Sequence, residues 1–152
     1  MILEVLKEPH PVLSKKAEVV IDWQPIPQLV QDMLETMYHA KGIGLAAPQV
    51  GISKRLVVID LQTNRKPSKI PYVLVNPVIL KRKGIQISKE GCLSIPDCLY
   101  EVQRASDIEI MAQDKHGRSY RFKAQGLLAN CIQHELDHLD GVLMSEVGKK
   151  IQ

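Results

Sequence analysis

From Gly126 to Val142 the chain reads GLLANCIQHELDHLDGV, with apolar positions recurring at helical spacing. At about 100° per residue, Leu127, Leu128, Cys131, Ile132, Leu139 and Val142 share one arc, opposite Asn130, Gln133, Asp137 and Asp140. A second helix is predicted from about Pro27 to Ala40, where Leu29, Val30, Met33, Leu34, Met37 and Tyr38 keep the same period. Lys41-Gly42 closes it, with glycine in its usual C-terminal role. Strict alternation over Asp107–Met111 and Ser119–Ala124, around Asp114-Lys115-His116-Gly117, predicts a β-hairpin with His116 solvated at its tip. Arg55–Leu61 is a buried strand, and Tyr72–Val75 and Val78–Leu80 are further strand interrupted at Asn76-Pro77. Lys81–Lys83 reads as a solvated basic turn and Gln62–Ser68 as a polar connection. Met1–Leu6 is a short apolar segment leading into an extended turn at Glu8-Pro9-His10-Pro11. The tail after Gly141 is short. With no internal repeat or linker, the pattern predicts one α+β domain over residues 1–152.

Three titratable side chains interrupt the central helix pattern. His134, Glu135 and His138 lie within the apolar arc or on its edge, where burial is costly unless something pairs them. His134 and His138, four residues apart, point the same way on a helix and can reach one metal ion. Glu135 is offset by about 100°, placed to hold a water at that ion without ligating it. A catalytic divalent metal takes three protein ligands and keeps one position open. Cys92, Cys98, Cys131, His10, His39, His116 and the carboxylates are candidates for the third. Cys131, on the helix itself, reads better as a packed thiol, and Cys98 lies in a loop continuation. Cys92 ranks first, because the Glu90–Pro96 segment is constrained by Gly91 and Pro96 and the Leu93 N–H beside it can face a reacting group. Gly42–Gly51, GIGLAAPQVG, is neither periodic nor polar, so its small residues indicate close approach of backbone to another group. No Gly-Lys-Ser/Thr follows, which disfavours a phosphate loop.

Composition narrows the picture further. At 152 residues the chain is long enough for a real core, and its 45% hydrophobic and 24% charged content is that of a globular protein. Aromatic residues make up only 4%, so aliphatic side chains and methionine carry the packing. A net charge of +3, scattered along the chain, does not indicate nucleic acid and admits only weak contact with an acidic surface. Three cysteines without a signal-like leader disfavour a disulfide framework and predict a cytoplasmic protein. No stretch reaches the roughly 18 apolar residues of a membrane span.

GIGLAAPQ (Gly42–Gln49), EGCLSIP (Glu90–Pro96) and QHELDH (Gln133–His138) together resemble, in order and spacing, the three signature motifs of peptide deformylases. The resemblance runs from the amino terminus through about Leu143. It implies antiparallel β-sheets packed around a central helix that carries the HExxH motif. It implies a metallohydrolase of protein biosynthesis that removes the formyl group from the N-terminal formylmethionine of new polypeptides. The implied cofactor is one divalent ion, with Fe²⁺ native and Zn²⁺, Ni²⁺ or Co²⁺ as substitutes. The implied metal ligands are Cys92, His134 and His138. Glu135 becomes the general acid/base, and Gln49 and the Leu93 N–H become donors to the developing oxyanion. Ile43, Gly44, Glu90 and Cys131 would line the substrate. Implied partners are N-formylmethionyl peptides and nascent chains, with a weak ribosome contact.

Two positions depart from the family pattern. Leu99 stands where many members carry arginine, and Gln103 stands where proline usually precedes the arginine matched by Arg104. Both lie outside the implied metal shell and bear on contacts to the downstream peptide. Three other readings compete. An ordinary HExxH metallopeptidase should show a third ligand downstream, where only Glu146 is available. Acyl transfer by a Cys92 nucleophile would survive chelation. A deformylase-like fold with weak or no turnover would serve as a binding module.

Overall fold

Alternation decides the main sheet. In the computed structural model, which describes residues 1–62 and 66–152, strand β2 (Leu56–Ile59) is buried at all four positions. Val57 and Ile59 join one core cluster and Leu56 and Val58 another, as the two-residue period of a strand requires. Strand β2 belongs to a five-stranded antiparallel sheet in the order β1-β2-β3-β6-β7, with β1 (Gly44–Ala46) on the edge, β3 (Tyr72–Lys83), β6 (Asp107–Gln113) and β7 (Ser119–Gln125). A second sheet of three strands, β4-β5-β8, is built from Gln86–Cys92, Ile95–Arg104 and Gly148–Lys150.

Helix α1 (Ile26–His39) lays Ile26, Leu29, Val30, Met33 and Met37 against the Leu56/Val58 face. Helix α2 (Gly126–Leu139) packs Ala129, Ile132, Leu136 and Leu139 against Val57, Ile59 and Leu74 on the other face, and also touches β5 of the small sheet. The architecture is α+β, with antiparallel sheets around a central helix. A helix enclosed on several sides has no solvated stripe. Hence Gln133, assigned to the polar arc by period, is buried and exchanges hydrogen bonds with the Ala105 backbone at 3.0 and 2.9 Å. Leu127, assigned to the apolar arc, is 57% exposed.

Several expectations are corrected by local geometry. The left-handed residue closing α1 is Lys41 (φ 59°), not Gly42. Asn76-Pro77 does not end its strand: Asn76 adopts φ 50° and the β3–β6 register shifts there, so β3 continues as a bulged strand through Lys83. Lys81–Lys83 is therefore strand, and the turn falls at Gly84. Helix α2 stops at Leu139, and the tail forms a short helix α3 (Met144–Val147) before β8. Gly42–Gly51 contains β1 and a 3₁₀ turn over Ala47–Val50. Of the polar connection Gln62–Ser68, residues 63–65 lie outside the described residues.

Candidate metal centre

Strands β4 and β5 form a hairpin in which Cys92 pairs with Ile95 across a Leu93-Ser94 turn. A register irregularity between Glu90 and Cys92 re-aims the end of β4. The Cys92 thiol thereby meets helix α2, with Sγ 3.3 Å from His138 Nε2. The ligand atoms of Cys92, His134 and His138 all lie within 4.8 Å of one another. Ligands about 2.0–2.3 Å from a cation stand roughly 3–4 Å apart, so the spacing suits a single divalent ion. Burial pushes His138 down to about 3, which keeps its ring neutral and able to ligate. All three cysteines are free, so the thiol is not consumed by a disulfide.

A buried polar network fixes the first histidine. Glu90 Oε1 lies 3.0 Å from His134 Nδ1, which leaves Nε2 to face the thiol. Arg104 grips the same carboxylate through Nε and Nη2 at 3.0 and 2.7 Å, and reaches Asp137 through Nη1 at 2.6 Å. Burial alone would raise the Glu90 carboxyl, but the hydrogen bonds from Arg104 and His134 outweigh it and hold it at about 2. Glu90 lines the cleft, yet both its oxygens are occupied within the protein.

Glu135 is the exception to this satisfaction. Its Oε1 and His138 Nδ1 are the buried side-chain polar atoms with no hydrogen-bond partner among the described residues. Burial lifts its carboxyl to about 7, against the opposing pull of His134. A carboxyl that titrates near neutrality and has a free oxygen is suited to pass a proton back and forth. Gly44 makes room for it: a Cβ on Gly44 would stand 2.5 Å from Glu135 Oε2.

The two loops supply donors. Gln49, 1% exposed, accepts from the Ala46 N–H at 2.9 Å through Oε1, which turns Nε2 toward Ser94 Oγ (3.1 Å) and Cys92 Sγ (3.6 Å). The Leu93 N–H has no hydrogen-bonding partner among the described residues. These groups open onto a cleft of about 600 Å³ that Ile43, Gly44, Cys131 and Leu127 also line. Cys131 is a buried thiol, pushed up to about 12 by burial. Cys98 lines the cleft without joining the three-ligand group, and His10, His39 and His116 are outside that group too.

Arg104, Asp137 and Ser94 carry parts of the site that the sequence did not single out. Ser88 and Glu90 on β4 and Arg104 on β5 are buried polar residues, so these strands invert the usual alternation and give no signal in the sequence.

A thiol and two imidazoles converging beside a buried carboxyl are the side chains a metal-dependent hydrolase uses. The comparisons agree and make the class specific. The family model for polypeptide deformylase matches residues 2–152. A peptide deformylase of Acidobacterium capsulatum is 49% identical over 144 residues, covering 94% of this chain and 84% of the relative. One from Alkalilimnicola ehrlichii is 47% identical, covering 98% and 85%. The crystal structure of a peptide deformylase from Legionella pneumophila superposes with a TM-score of 0.91 at 40% identity, covering 97% of this chain and 86% of that one. The chain belongs to the peptide deformylase family.

Proposed function

We propose that this protein hydrolyses the N-formyl group of N-terminal formylmethionine on newly made polypeptides, releasing formate. The observation that carries the reading is the convergence of Cys92, His134 and His138, the first two of which line a cleft that also holds Glu135. In this reading Cys92, His134 and His138 hold one divalent cation. When bound, that ion supplies Lewis-acid polarisation of the formyl oxygen and acidifies the attacking water.

The protein's own groups do the rest. Edge strand β1 offers open backbone at Gly44, next to Ile43, along which an extended peptide can pair. The methionine side chain lies toward Ile43, Cys131 and Leu127. Glu135 accepts the proton released by the attacking water and delivers it to the amine nitrogen as the C–N bond breaks. Gln49 Nε2 and the Leu93 N–H donate to the formyl oxygen as its charge develops, and losing one such donor typically costs about 10²–10³ in rate. Glu90 acts through His134, and Arg104 through Glu90.

Fe²⁺ is proposed as the native ion; a His₂Cys set suits Fe²⁺ and Zn²⁺ alike, and metal analysis after anaerobic purification separates them. A cytoplasmic location is proposed on the three free cysteines, and no helix among the described residues is long and apolar enough to cross a membrane. A weak ribosome contact is proposed on the net charge of +3, read out by co-sedimentation at low salt.

The test compares formyl-Met-Ala-Ser with acetyl-Met-Ala-Ser. Formate release from the first, negligible turnover of the second, and loss of activity on chelation with recovery on adding metal are expected. Activity that survives exhaustive chelation, or equal turnover of the acetyl peptide, contradicts the reading.

A further inference from the structure

The mouth of the cleft carries three lysines, Lys7, Lys41 and Lys89, against one aspartate, Asp97, and all four are exposed. None of the three lysines makes an ion pair among the described residues. Lys7 is the most fixed of them. Its Nζ donates to the Leu93 carbonyl at 2.9 Å, which holds the ammonium beside the turn that follows Cys92. One neutral acceptor leaves two of its three N–H groups for a ligand. The segment behind it is tied to both catalytic loops, through Leu6 N–H to Gln49 O at 2.7 Å and Glu8 N–H to Ser94 O at 2.9 Å.

The acidic groups deeper in the cleft do not offset this charge. Glu90 is matched by Arg104, and Glu135 lies at the reaction centre. A peptide whose formylmethionine is seated near Glu135 must leave past the rim, where its next residues meet a net positive field.

We infer that Lys7, with Lys41 and Lys89, makes this enzyme prefer formyl-Met peptides that carry carboxylates in the residues just after methionine. The inference rests on the deformylase reading. Exposed ion pairs of this kind each change affinity by at most about fivefold. Three partly screened lysines give an acidic-over-basic preference of about five- to tenfold at low ionic strength.

The experiment measures kcat and KM on amidated peptides that differ only after formyl-Met-Ala, ending in Asp-Asp, Ser-Ser or Lys-Lys. The expected order is Asp-Asp above Ser-Ser above Lys-Lys, with the spread in KM. That spread should collapse near 1 M salt, where the screening length is about 3 Å. Lys7→Gln should lower the Asp-Asp to Ser-Ser ratio of kcat/KM, about two- to threefold in the unmodified protein, by about 1.5-fold. The triple variant Lys7→Gln, Lys41→Gln, Lys89→Gln should bring the ratio to about one. Lys115→Gln, on the β6–β7 turn, should leave it unchanged. Because each ratio is taken within one preparation, a partly unfolded variant does not disturb it. Equal kcat/KM for the three peptides at low salt overturns the inference, as does an acidic preference that persists in the triple variant. Absence of turnover on the Ser-Ser peptide overturns the deformylase reading itself and the inference with it.

Discussion

Gly44→Ala isolates the placement of Glu135 from everything else in the site. Gly44 does not use the left-handed region, so alanine fits its backbone. The obstacle is a single side chain. The new Cβ would stand 2.5 Å from Glu135 Oε2, 3.1 Å from Cδ and 3.2 Å from Cγ. Ordinary contact begins at 3.4 Å, so the carboxylate has to retreat by 3.4 − 2.5 = 0.9 Å. A misplacement of roughly 1 Å at a reacting group costs about 10²-fold in rate. Overpacking of this size costs on the order of 1–3 kcal/mol in stability, which a domain of this length survives. None of the three proposed metal ligands is touched. The expected result is kcat lower by about 10², metal content near that of the unmodified protein, and a cooperative melt. The assay couples formate release to a formate dehydrogenase, with metal content measured on the same sample. A Gly44→Ala protein with unchanged kcat refutes the reasoning that Glu135 must sit where it does. A protein that has lost its metal refutes the claim that the perturbation stays local.

Three further outcomes follow from the same geometry. Arg104→Met strands the buried Glu90 carboxylate, whose partner is 5% exposed; a loss on the order of 3–5 kcal/mol, seen as a Tm lower by roughly 10 °C or more, is expected by calorimetry. Cys92→Ala should lose tight metal binding while Cys98→Ala and Cys131→Ala keep it, checked by metal analysis after dialysis; an empty site in Cys98→Ala would show the ligand choice to be wrong. Asp60 is held below its usual carboxylate range: burial opposes this, but hydrogen bonds from Tyr38 and the Ser68 and Gln62 N–H groups prevail. A depressed carboxyl contributes stability that is present above its unfolded pKa and is lost as pH falls through its folded one. Asp60→Asn should therefore flatten the acid limb of the stability curve below about pH 4, measured by urea melts across pH. An acid limb as steep as in the unmodified protein would show that Asp60 carries none of it.

The parts of this fold that are legible in sequence are those where burial and polarity agree. Helix α1 and the β6–β7 hairpin follow their periods because their apolar residues face the core. The small sheet was illegible because its pattern is inverted. Ser88 and Glu90 point inward to the polar network, while Ile85 and Ile87 are 75% and 55% exposed, so no alternation marks β4 as a strand with an apolar core face. The same inversion hid Gln133 and Asp137, which look like a solvated helix face but bond to β5 and its following turn. The three motifs pointed to Cys92, His134, Glu135, Gln49 and Leu93, which the fold brings around one cleft, and to His138, which it sets beside Cys92 and His134. Arg104 was matched to a family arginine, but its partner Glu90 lies on another strand that the period did not reveal, so its role could not be read from its neighbours.

Glu135 moves the proton in the proposed reaction. Formate release and bound metal should be measured together for the unmodified protein and for Glu135→Ala. Metal content near that of the unmodified protein, with turnover lower by about 10²–10⁴, is the expected result for a group that moves protons without holding the ion. Full turnover in Glu135→Ala would contradict the central claim.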